Sequence, residues 1–108
     1  MTAYEFRSLA LKVSGALESS HMNHPDFRVD GRVFATLGYP DDRHGMVKLT
    51  PELLRAFMKR APSVFGPAAG AWGKKGSTTI LLAAARVGIV RDALDAAAKI
   101  VISGKKKA

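Results

Sequence analysis

His21 and His24 stand three residues apart, with His44 further along and Asp26, Asp41 and Asp42 nearby in sequence, so metal ligation is the first chemistry to weigh. The two neighbouring histidines fall in a polar stretch (residues 19–25) that ends in a proline, not on a helix face. No cysteine anywhere in the chain completes a ligand set. They read as solvated loop residues, with His24 ahead of Pro25 helping to set a turn. Residues 70–77, Gly-Ala-Trp-Gly-Lys-Lys-Gly-Ser, have the composition of a phosphate loop. The spacing fails, because four residues must separate the glycines before Lys and Ser or Thr, and the segment leads into a strand rather than a helix. Asp41-Asp42 lies in a turn with nothing around it to tune one carboxyl into a general acid. No serine occupies a nucleophile elbow. The sequence therefore predicts no catalytic, cofactor-binding or metal-ligating residues, and no enzyme.

The basic residues carry the stronger signal. Arg28 and Arg32 flank Asp30-Gly31, a pair suited to the positive φ angles of a type I′ turn between two antiparallel strands. Strict alternation puts both arginines on the polar side of that hairpin, opposite Phe27, Val29 and Val33; the face taken by Phe34 hangs on a one-residue choice of register. Lys74 and Lys75 form the expected tip of a second hairpin, Gly73 to Gly76, with Trp72 just before it and Arg43 and Lys48 close at hand. Cations at two such tips suit phosphates on either side of a groove. Trp72 suits either a stacked base or a half-buried lid over the core. The plain alternative for the lysines and arginines is a solubilising surface.

Elements able to position these residues follow from the pattern. Thr2 with Glu5 makes a capping box, followed by an amphipathic helix over residues 3–18. Strands are expected at residues 27–29, 33–37 and 46–49. Thr50-Pro51-Glu52 starts a second helix that ends before Pro62. Residues 63–70 form a connection packed through Val64 and Phe65. Ala71-Trp72 and residues 77–82 make the second strand pair, and a broad apolar face from Val87 to Ile102 makes a last helix. The order is α-β-β-β-α-β-β-α: an α+β domain of two layers, an antiparallel sheet with helices laid mostly on one face. Residues 1–103 form the domain, and residues 104–108 a flexible basic tail.

The 108-residue length suits a single core, and 47% hydrophobic with 24% charged residues argues against disorder. Zero cysteines exclude disulfide frameworks, iron–sulfur clusters and thiol nucleophiles, and fit a cytoplasmic protein. The net charge is +8; setting aside Lys105, Lys106 and Lys107 leaves +5. That excess favours polyanionic partners. Glu5, Arg7, Lys12 and Glu18 interrupt any apolar leader, and Arg86 breaks the longest apolar run, so no membrane segment is expected.

The stretch His24-Pro25-Asp26-Phe27-Arg28-Val29 through Gly31-Arg32-Val33-Phe34-Ala35-Thr36-Leu37 resembles the MmcQ/YjbR family of small bacterial proteins. So do Val47-Lys48-Leu49 ahead of a helix, residues 62–67 leading into Trp72-Gly73-Lys74-Lys75-Gly76, and the closing Ala-rich helix. The resemblance spans residues 1–103. It implies an α-β(3)-α-β(2)-α fold and a DNA-binding label that rests on a double-wing shape. Where the family often carries aromatic or β-branched residues after the second wing's turn, this chain has Ser77-Thr78-Thr79.

The leading expectation is a DNA-binding or other nucleic-acid-binding domain of low sequence selectivity, a monomer or weak homodimer, with Arg28, Arg32, Arg43, Lys48, Trp72, Lys74 and Lys75 at the interface. The alternative is a protein-interaction module. The same element order resembles secretion-chaperone-like folds, and an exposed apolar patch at Val64, Phe65 and Trp72 would be its mark.

Overall fold

The computed structural model describes residues 1–106. Thr2 caps the first helix through its side chain, and the Glu5 carboxylate returns a bond from the Thr2 N–H at 2.8 Å, completing the capping box. Helix α1 (Ala3–Leu11) is nevertheless half the expected length. Turn backbone follows it, Gly15 takes φ +80°, and the chain extends into strand β1 (Leu17–His21). The expected loop at 19–25 is instead a hairpin. Met22 and Asn23, at φ 50° and 66°, turn β1 back into β2 (His24–Val29) without a glycine. Asp30 and Gly31, at φ 54° and 76°, make the anticipated turn into β3 (Arg32–Leu37). Strand β4 (His44–Lys48) leads to α2 (Pro51–Arg60), capped by Thr50 with Pro51 at its first position.

The second half departs further from expectation. Phe65–Pro67 is a short strand, β5, where a connection was expected. Ala71 and Trp72 are helical rather than extended, within α3 (Gly70–Lys74), so Lys74 and Lys75 do not form a hairpin tip. Gly73 explains why: a Cβ there would sit 1.9 Å from the Ala68 carbonyl oxygen, a backbone approach closed to any other residue. Strand β6 (Ser77–Leu81) pairs with β5, so a hairpin does exist, with α3 inserted at its turn. A single 3-10 turn (Leu82–Ala84) precedes α4 (Val87–Lys106). The supposed tail from Gly104 is helical through Lys106; residues 107 and 108 lie outside the described residues.

The six strands form one antiparallel sheet in the order β1-β2-β3-β4-β6-β5. Helices α1, α2 and α4 pack on one face, so the α+β, two-layer class is the observed one, with more strands than expected. Phe6 meets Phe27 with ring centroids 6.3 Å apart, and Phe57 meets Phe65 at 5.1 Å. Phe34, Val47, Ile80, Val90 and Leu94 close the core around them. Gly45 accommodates the Phe6 ring, which lies 2.7 Å from where a Cβ would be.

Register decides which residues face away from the helices. Phe27 pairs with Ala35 but Arg28 with Val33, so Phe34 is an extra residue in β3. The resulting bulge turns Phe34 into the core, fully buried, and puts Val33 beside Arg28 on the open face. Arg32 pairs with Val29 and lies on the helix side, its Nη1 3.6 Å from where a Gly104 Cβ would be. The two arginines therefore occupy opposite faces, contrary to strict alternation. No helix among the described residues is long and apolar enough to cross a membrane.

Gly76 takes φ +107° with Leu49 O 2.1 Å from its Cβ position, whereas Gly31 has open space around it. Gly76→Ala is expected to cost about 2 kcal/mol or more, combining backbone strain with a clash, and Gly31→Ala about 1 kcal/mol. Urea denaturation of the two variants checks the order.

Candidate functional site

The open face of the sheet is built by alternation. Asp26 and Arg28 on β2 share it, because residues two apart on a strand point the same way. The pairings Asp26–Thr36, Thr36–Met46, Arg28–Val33 and Lys48–Ser77 carry the same face across the sheet. Tyr39 and Trp72 enclose it from the β3–β4 connection and from α3. The result is a cleft of about 490 Å³. Its floor is Val33, Thr36 and Met46; its basic end is Arg28 and Lys48; its far end is His21 and His24.

Asp26 is the electrostatic centre. It is fully buried, accepts from Arg28 Nε at 2.8 Å and Nη2 at 3.0 Å, and lies 2.6 Å from His21 Nδ1. The Arg28 hydrogen bonds hold its carboxyl below the usual range against the opposing effect of burial, with His21 adding to the depression. An ionised carboxylate can only accept, which assigns the proton to His21 Nδ1 and leaves Nε2 outside the pair. His24 packs edge-on to Tyr39, centroids 6.4 Å apart at 88°, and lies 6.5 Å from the His21 ring.

A similar trio sits at the start of β4. Asp41 accepts from the Arg43 N–H and Nη2 at 2.9 and 3.0 Å and lies 2.7 Å from His44 Nδ1. Its carboxyl is pulled well below the ordinary carboxylate range, chiefly by Arg43 and then by His44. This cluster closes a turn and does not line the sheet cleft. A wider depression of about 730 Å³ between α2 and α4 is lined by Leu53, Asp92, Asp95 and Lys99, with Asp92 paired to Arg60 at 3.2 Å. Among the described residues, no three His, Asp or Glu side chains gather as metal ligands.

Of the seven expected interface residues, Arg28, Lys48 and Trp72 line one cleft. Lys75 adjoins it, its Nζ 6.0 Å from the Trp72 ring centroid, and Lys74 precedes it at the end of α3. Arg43 belongs to the Asp41 turn, and Arg32 lies on the helix side. The β2–β3 turn and α3 are at the same end of the sheet, with the end of β4 between them. Trp72 is 61% exposed, so it does not lid the core. Val64 and Phe65, at 6% and 3%, are buried, so of the expected apolar trio only Trp72 reaches the surface. Sequence reasoning passed over His21, His24 and Asp26 as loop residues. The signal was the alternation His24, Asp26, Arg28, visible once β2 is started at His24.

Compared with known proteins, the sequence matches no family model and no curated protein. Its fold is similar to the crystal structure of Deinococcus radiodurans protein DR2400, which carries a DUF419 domain. The TM-score is 0.74 at 18% identity, over 93% of this chain and 78% of that one. The likeness defines a small α+β domain fold.

Asp26→Asn is expected to cost roughly 2–3 kcal/mol, since it leaves the Arg28 charge without its partner. Asp26 and Asp41 both titrate below their unfolded values, so the unfolded chain binds more protons across that interval. Their stabilisation is present above the unfolded carboxylate pKa of about 4 and is lost as pH falls through the folded values. Thermal melts between neutral and acid pH should show a shallower acid limb in each Asn variant than in the parent chain.

Proposed function

We propose that this chain is an MmcQ/YjbR-like domain that binds nucleic acid with low sequence selectivity, without catalysis, through the open face of its sheet. The observation that carries the reading is the charge balance of that face. The charge of Asp26 is consumed internally by Arg28 and His21. Lys48, Lys74 and Lys75 are exposed and have no carboxylate partner among the described residues. Unneutralised cations around a concave surface attract a polyanion and release its counterions on contact. These lysines contact phosphates and not base edges, so the affinity they supply carries little sequence selectivity.

The contact geometry differs from two wing tips gripping a groove. Arg28 is tied to Asp26, Arg32 faces the other way, and the free lysines lie along the β4–α3 end of the sheet. Val64 and Phe65 are buried, so they do not join Trp72 in the surface patch that would mark a protein-interaction module.

Fluorescence anisotropy of labelled single-stranded and duplex oligonucleotides at several salt concentrations tests the reading. Binding should weaken with salt at a log–log slope of about −2 to −4, as three or four phosphate contacts require. Charge reversal of Lys48, Lys74 and Lys75 to Glu together should weaken it about tenfold or more at low salt. Unchanged affinity in that variant, with an unchanged melting temperature, overturns the proposal.

A further inference from the structure

We infer that the cleft takes one unpaired base of a single-stranded nucleic acid, stacked on Trp72, with the adjoining phosphate held by Lys48 and Arg28. This rests on the nucleic-acid reading above and narrows its ligand from polyanion to single strand. Three observations carry it. The first is the position of Trp72. An indole that could bury a large apolar area in the core is held 61% exposed instead, on a helix whose placement is fixed by the contact of Gly73 with the Ala68 carbonyl. Its ring lines the cleft instead of filling the core. Lys75 Nζ lies over one face of the ring, 6.0 Å from its centroid, so the proposed base stacks on the opposite face with this cation close by.

The second observation is the cleft's lining. Phosphate alone has no use for a floor of Val33 and Met46 or for an aromatic wall at Tyr39, whereas the flat face of a base does. The volume of about 490 Å³ lies within the range of sites that enclose small ligands. The third is the division of labour in Arg28. It uses Nε and Nη2 on Asp26, which orients the guanidinium, and Nη1 stays outside that pair. Together with Lys48, which shares the open face at the same end and carries the unneutralised charge there, it sets donor groups beside an apolar floor. A base already stacked in a duplex hides both its faces, so the cleft selects unpaired strands. Stacking tolerates every base, in keeping with low selectivity.

Trp72 is the chain's one tryptophan, so its intrinsic fluorescence reports directly on the site. The probes are a short oligothymidylate, a duplex of equal length, and an abasic strand of equal length that keeps the phosphates and lacks the bases. Oligothymidylate should quench the emission saturably and bind about tenfold more tightly than either the duplex or the abasic strand. Trp72→Phe should keep most of that advantage by anisotropy, and Trp72→Ala should abolish it while leaving abasic-strand binding in place. If all three probes bind equally and none quenches, the stacking inference is overturned and the phosphate reading stands. If none binds at low salt, both fall.

Discussion

The bulge at Phe34 is the constraint on which the rest of this structure depends. A β-strand alternates, so the side of every residue in β3 is set by its neighbours unless a residue is added. Adding one lets Phe34 and Ala35 both serve the core, and it reverses the sense of everything before them. Val33 moves to the open face beside Arg28, and Arg32 moves beneath the sheet towards the end of α4. The core gains a fully buried aromatic ring at the centre of the sheet. The open face gains an apolar patch where a charge would otherwise stand. Core packing and the shape of the cleft are thus two results of one inserted residue.

The class of fold was legible because its signals are local. Capping at Thr2 and Thr50, the Asp30-Gly31 turn, and the apolar stripe of the last helix each act over a few residues, and each is present. What escaped depends on distant groups. Leu17–His21 has no apolar alternation, and all five residues are exposed; it is a strand only because β2 offers it an edge to pair with. Met22-Asn23 adopts positive φ without glycine, so the turn had only Asn23 as its sign. Ala71 favours a helix, but a five-residue segment holding two glycines does not nucleate one alone; its seat depends on the close approach of Gly73 to residue 68. The candidate site suffered in the same way. Arg28, Lys48 and Trp72 were selected for charge and aromaticity, which sequence shows, but Arg32 was added by an alternation that the bulge breaks. Asp26 and His21 were missed because their meeting requires β1.

The likeness to the DUF419-domain protein extends over nearly the whole chain at low identity, so what the two share is an arrangement of backbone. The surface chemistry has to be argued from this chain alone. Here the sheet has one face sealed by three helices and another left open, and the ion cluster at Asp26 lies under the open one. A buried carboxylate that pairs with both an arginine and a histidine fixes the direction in which each presents its remaining N–H groups.

Gly45 and Phe6 illustrate a different consequence. The ring occupies the volume that a side chain at residue 45 would need, so the two positions share one allotment of space across the α1–β4 contact. Neither can be enlarged alone, and reducing Phe6 opens room that only a larger residue 45 would fill. In related sequences the pair should change together or remain fixed. A large residue at one position and a glycine at the other would mark chains that fold with α1 seated as it is here.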